Sequence, residues 1–290
     1  MGKATVLTEG LFFGEGPRWH DGRLWYSDFH AHAVKSVGAD GVQRTELKLD
    51  DQPSGLGWLP DGRLLVVSMM AMKVLRQDPD GLKVHADVSQ YSAHMCNDMV
   101  VDASGRAWVG NFGFDLDGLI KEKGAEEALA NHPTTNLVRV DPDGSVHRAA
   151  TDMNFPNGSA VTVDGKTLIV AETLSMCLTA FDIEADGTLA NRREWANVGL
   201  RAPDGICLDE SGNVWVANAL APECILVAEG GEIVETVETS QNCYACMLGG
   251  DDGRTLHLMT APSSDKDEAS AAAHGKIEVA SVTVRGAGCP

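Results

Sequence analysis

One hairpin pattern recurs six times along the chain, and no other feature restricts the fold as strongly. Its clearest copy is Pro203 to Asn218, PDGICLDESGNVWVAN. Ile206 and Leu208 alternate with Cys207 and Asp209, a turn follows at Glu210-Ser211-Gly212-Asn213, and Val214 to Ala217 alternates again. Period-two alternation on both sides of a Gly-containing turn is the mark of a β-hairpin. Similar text opens at Gly14 (GEGPRWHDGRLWYSDF), Ser54, Cys96, Pro156 and, more weakly, Cys243. The turn glycines Gly22, Gly62, Gly105, Gly165, Gly212 and Gly253 lie 40 to 60 residues apart. Repeats of this length, each holding several short strands, predict an all-β chain folded as a six-bladed β-propeller.

Second strand pairs fill the gaps between hairpins, turning at Asp80-Gly81, Asp143-Gly144, Asp186-Gly187 and Gly230-Gly231, so each blade receives about four strands. The sixth blade runs short: after Lys276 to Val284 only a Gly-containing tail remains. The N-terminal segment Ala4 to Thr8 is expected to supply the missing strand, closing the ring and removing a free sheet edge. No linker-like run divides the chain, so residues 1–290 read as a single propeller domain with an insertion at about 112–135. Leu116, Leu119 and Ile120 have helical spacing there, while Gly118 and Gly124 disfavour a long helix. That insertion is either a helical lid or a plain surface loop.

The chain carries 42 acidic and 23 basic residues, a formal charge of −19. This disfavours nucleic acid and anionic membrane as partners. No apolar run is long enough for a membrane span or a signal peptide, and the seven cysteines are odd in number and irregular in spacing. The expected setting is a reducing cytoplasm with free thiols. Cys243-Tyr-Ala-Cys246 is a lone C-x-x-C without the second pair that a zinc ribbon needs, so both thiols are expected as buried packing groups.

In a propeller the first strand of each blade lines the central channel, so equivalent positions converge on one axis. Ser54, Asn97, Asn157 and Asp204 each stand eight residues before their turn glycine, Glu15 stands seven before, and the sixth blade offers Tyr244 or its neighbours. Glu15, Asn97, Asn157 and Asp204 are all oxygen donors. Converging in a ring, they suit one hard divalent cation, with Ca2+ fitting best and other divalents also accommodated. The competing reading is that Asn157-Gly158 and Asp204-Gly205 only shape the turn into each strand.

The GEGPRW start, Asn97-Asp98, Pro156-Asn157-Gly158 and Pro203-Asp204-Gly205, in this order and across nearly the whole chain, resemble the gluconolactonase, regucalcin (senescence marker protein) and luciferin-regenerating-enzyme family. The resemblance implies a six-bladed propeller with a divalent metal in its channel. It implies Glu15, Asn157 and Asp204 as metal ligands, Asn97 as a residue close to metal and substrate, and Asp204 as the base. One position departs from the pattern. Sugar-lactone members often carry an Arg two residues before the Asn of the Asn-Asp pair, where this chain has Met95.

These parts point to a metal-dependent hydrolase that opens a lactone, a cyclic ester. A cation would polarise the carbonyl, and Asp204 would take a proton from the attacking water. Asp98 orients water or Asn97, or caps the turn. His94 is a wall residue or a proton shuttle, and Met69, Met70, Met72, Met95, Phe112 and Phe114 either line an apolar pocket or pack between blades. The expected substrate is a small-molecule lactone more apolar than gluconolactone, contacted by Asn97, Met95, His94, Phe112 and Tyr244. The alternatives are a phosphotriesterase-type hydrolase on the same metal site and a calcium-binding propeller without turnover.

Overall fold

The computed structural model describes residues 2–288, so Cys289 lies outside the described residues. Among these residues six four-strand sheets stand in a ring, a six-bladed propeller. The innermost strands are Gly14–His20, Pro53–Trp58, Cys96–Val101, Pro156–Val161, Pro203–Leu208 and Asn242–Gly249, and each packs against the next around the axis. Every blade then meanders outward through antiparallel neighbours. Blade 5, for example, runs Pro203–Leu208, Val214–Asn218, Glu223–Val227 and Ile233–Glu238.

The ring closes as expected. Thr5–Leu11 pairs antiparallel with Gly275–Ser281 and completes blade 6, with Thr5 opposite Val279 and Leu11 opposite Gly275. Gly2–Lys3 goes further and adds a short parallel strand to the outer edge of blade 5, opposite Val237 and Glu238. The N-terminal segment therefore stitches two blades. Among the described residues no helix is long and apolar enough to cross a membrane.

Local chemistry explains the repeats. The inner hairpins turn on an acidic residue and a glycine: Asp209 Oδ1 accepts hydrogen bonds from the Ser211 and Asn213 amides, and Gly212 takes the left-handed φ of 83°. An Asx carboxylate that satisfies its own turn is why Asp recurs there. Apolar residues of the alternating strands fill the spaces between blades, with Trp108, Trp215 and Tyr26 wholly buried. Cys207, Cys224, Cys243 and Cys246 belong to this packing and are free thiols. The Cys207 and Cys246 sulfurs lie 3.9 Å apart.

Two connections differ from simple turns. Between Ala107–Asn111 and Thr135–Val140 of blade 3, the insertion forms two short helices, Leu116–Lys123 and Ala125–Ala130. Asp115 caps the first by accepting from the Gly118 amide at 2.9 Å, and Gly124, at a φ of 85°, separates them. In blade 6 a third helix, Lys266–Ala271, interrupts the path from Thr255–Ala261 to Gly275–Ser281. Burial raises the pKa of Asp117 on the first helix, and Asp265 and Asp267 of the blade 6 connection add to the rise. The insertions of blades 3 and 6 therefore lie within electrostatic reach of one another.

Candidate functional site

Each inner strand breaks register near its start. The pairing slips between Glu15 and Arg18, Pro53 and Leu56, Cys96 and Met99, Pro156 and Ser159, Pro203 and Ile206, and Cys243 and Ala245. A bulge re-aims the side chains it contains. Glu15, Ser54, Asn97, Asn157, Asp204 and Tyr244, the residues selected by repeat phase, each lie inside or border one of these six irregularities. All six are buried.

The glycines after Asn157 and Asp204 do not form turns. Neither has a left-handed φ, and both sit where neighbouring blades touch. A Cβ on Gly158 would lie 2.5 Å from the Asp204 carbonyl oxygen, and one on Gly205 would lie 2.6 Å from the Ala245 Cα. Close backbone approach requires these glycines, so turn geometry does not explain why Asn and Asp precede them.

A chain of hydrogen bonds runs around the ring. Ser27 donates to the Ser54 carbonyl at 2.6 Å, and the Ser54 hydroxyl donates to Asn97 Oδ1 at 3.5 Å. Asn97 Nδ2 donates to Asn157 Oδ1 at 2.9 Å, and Asn157 Nδ2 donates to Thr173 Oγ1 at 3.2 Å. Thr173 in turn donates to the Pro203 carbonyl at 2.8 Å, next to Asp204. Both amides are thus fixed in orientation, with their oxygens directed along the ring.

The carboxylates have less compensation. Glu15 Oε2 accepts the Gly16 amide at 3.0 Å. Burial pushes its pKa well above the usual range, and the charges of Asp204 and Asp98 push it further. Asp204 is likewise raised by burial and by Asp98, against a smaller opposing hydrogen bond from Asn157. Neither Glu15 nor Asp204 forms an ion pair with any described residue. Asp98 is different: its Oδ1 accepts the Met99 amide at 2.8 Å and pairs with Arg18 Nη2 at 3.4 Å. Asp98 thus both satisfies a neighbouring backbone amide and lies close enough to Glu15 and Asp204 to raise their pKa values.

Among the described residues no group of three or more His, Cys, Asp and Glu side chains is arranged to hold a metal ion. The candidate set is of another kind, two carboxylates with two amides. Its chemistry fits a hard cation, because two buried carboxylates, both raised in pKa by burial and by Asp98, lack a positive side-chain partner among the described residues.

Aromatic residues neighbour this centre. Tyr244 packs on Phe13 at 4.8 Å between ring centroids, and Phe13 packs on Phe29 at 5.4 Å. Tyr244 also feels the charges of Asp204 and Glu15, which add to burial in raising its pKa. Phe112 meets Phe155 at 4.5 Å and the edge of His94 at 6.5 Å, and its amide donates to the Met95 carbonyl at 2.9 Å. Met69 is buried in the interblade core and Met72 packs against it, so both are packing residues, whereas Met70 is exposed. Phe114 stacks on His132 within the insertion at 5.6 Å.

Arg18 and Thr173 were not singled out by repeat phase. Arg18 lies in the GEGPRW stretch, but nothing local indicates that its side chain reaches blade 3. Two surface grooves, of about 690 and 400 Å3, lie elsewhere, around Asp164 to Thr167 and around Gln241 to Lys276. Neither gathers buried polar groups as the channel does, and convergence of such groups is the better guide to chemistry.

The family model "SMP-30/Gluconolactonase/LRE-like region" matches residues 13–262. Chicken (Gallus gallus) regucalcin is 25% identical over 256 residues, covering 86% of this chain and 83% of its own length. The pentonolactonase XacC of Haloferax volcanii is 25% identical over 275 residues, covering 90% and 86%. Among solved structures, a calcium-binding regucalcin from Agrobacterium tumefaciens superposes with a TM-score of 0.80 at 20% identity, over 98% of this chain and 95% of that one. At that identity the superposition establishes the fold alone.

Proposed function

This chain belongs to the SMP-30/Gluconolactonase/LRE-like family, and from that premise we propose that it is a metal-dependent lactonase working in the propeller channel. Family members that carry lactonase names support lactone hydrolysis as the reaction class. The observation that carries the reading within this chain is the pair of buried, cation-free carboxylates, Glu15 and Asp204, beside the oriented amides of Asn97 and Asn157.

Glu15, Asn157 and Asp204 would hold the cation, with Asn97 adjacent. Oxygen donors alone favour Ca2+, in keeping with the calcium-binding description of the Agrobacterium relative. When bound, a divalent cation polarises an ester carbonyl and stabilises the negative charge that develops on its oxygen. Asp204 accepts the proton of the attacking water. Asn97, held by Asn157 and Ser54, stands beside both cation and substrate. The Phe13–Tyr244 and Phe112–Phe155 rings border the entry, and the insertions of blades 3 and 6 limit access of water.

Glu15→Gln removes one of two charged ligands. It is expected to weaken Ca2+ binding by about 10-fold or more in calorimetry; equal affinity in the variant would remove Glu15 from the ligand set. In the wild type the same affinity is expected to fall as the pH is lowered. Protons compete for Glu15 and Asp204, whose raised pKa values bring protonation closer to neutral pH.

The substrate is a lactone more apolar than an aldonolactone. Each hydroxyl taken from water without a partner costs about 1–3 kcal/mol. Met95 offers a thioether, not a guanidinium, and Phe112, whose amide bonds the Met95 carbonyl, packs its ring on Phe155. Alkyl- or aryl-substituted lactones are therefore expected to exceed gluconolactone in kcat/KM by about 10-fold. A preference for gluconolactone of that size would overturn the assignment of specificity.

A further inference from the structure

Arg18 is buried to 3% exposure in the inner strand of blade 1, yet its guanidinium reaches blade 3. Nη1 donates to the Pro17 carbonyl at 2.7 Å, while Nη2 donates to the Met99 carbonyl and pairs with Asp98 Oδ1 at 3.4 Å. Nε is buried with no partner. Its charge is felt as far as Cys207 on blade 5. The side chain therefore crosses the channel interior beside the acidic centre. A buried arginine is expensive, and a buried ion pair is weak evidence for stability, since apolar replacements of such pairs are often neutral or better. Its location offers another reason for its presence.

Glu15, Asp98 and Asp204 carry three negative charges when ionised. Arg18 cancels one and ties up the carboxylate that it contacts. We propose that Arg18 is a positioning residue that holds Asp98 out of the ligand set and leaves the centre with a net charge matched to one divalent cation. This rests on the reading that the channel binds a cation. Fixed charge near a binding centre acts on a trivalent ion more strongly than on a divalent one, in proportion to the ion's charge. Arg18 thus sets the preference between ions of similar size and different valence.

The test is the ratio of Tb3+ to Ca2+ affinity, measured by calorimetry on the full chain with melting temperature as a check on folding. Both ions prefer oxygen ligands and are close in size. Arg18→Gln is expected to shift the ratio about 10-fold toward Tb3+, and Asp98→Asn to shift it by a similar factor the other way. The double variant restores the net charge, so its ratio is expected to return to that of the wild type. Arg18→Lys, which keeps the charge, is expected to keep the ratio. Unchanged ratios in both single variants would overturn the proposal. So would a double variant that binds both ions as weakly as Asp98→Asn, because Asp98 would then be a ligand. Should Arg18→Gln not fold, Asp98→Asn decides: a shift toward Ca2+ with Ca2+ affinity reduced by no more than about 10-fold supports the proposal, and loss of Ca2+ binding overturns it. A wild type that binds neither ion overturns this proposal together with the metal reading, whereas binding without a change in ratio overturns this proposal alone.

Discussion

Asp204→Asn is expected to lower kcat by about 10²-fold or more even when metal saturates the protein. The substitution keeps the side chain's shape and one oxygen donor, so the ring of hydrogen bonds through Asn157 and Thr173 can persist. It removes the proton acceptor. Asp204 is buried, lacks a cationic partner among the described residues, and has a pKa raised by burial and by Asp98. A carboxylate at such a centre can take a proton from a water held beside it. Titrating acid release during lactone opening, with metal occupancy measured in parallel, separates the two roles. If Asp204→Asn holds metal and turns over at the wild-type rate, another group is the base.

The second large effect concerns the ring itself. Deleting residues 1–9 removes the pairings of Thr5, Val6, Thr8 and Glu9 with Gly275–Ser281 and the two-residue strand on blade 5. It also uncovers the core against which Ala4 and Leu7 pack. Several backbone hydrogen bonds at about 1 kcal/mol each, with the lost apolar burial, sum to about 5 kcal/mol. For a chain of this size that corresponds to a melting temperature lower by about 10 °C. Differential scanning calorimetry of the truncated protein measures it, and an unchanged transition would show that the N-terminal strands do not hold the ring closed.

The propeller was legible because its signals are local. A turn such as Asp209 to Gly212 satisfies its own amides, alternation in the strands on either side follows from one face being buried, and repetition fixes the phase of every blade. Phase also located Glu15, Asn97, Asn157 and Asp204, since equivalent strand positions point at one axis. Proximity between distant segments was not legible. Arg18 and Asp98 are 80 residues apart, and only the length of an arginine side chain lets them meet. The Leu116–Lys123 helix and the blade 6 connection lie within electrostatic reach for reasons that neither segment shows alone. Gly2–Lys3 pairs through its backbone and carries no side-chain pattern. Asn157-Gly158 was ambiguous because a tight turn and a close approach between blades both call for glycine.

Ring opening by the proposed mechanism depends on a cation held in the channel. The most direct test of this dependence is the hydrolysis of an alkyl-substituted lactone by the wild-type protein before chelation, after chelation with metal content verified as nil, and after Ca2+ is restored. Turnover is expected to disappear with the metal and return with it. Turnover that survives complete removal of metal, or hydrolysis that never appears with any lactone in the presence of divalent cations, would contradict the mechanism.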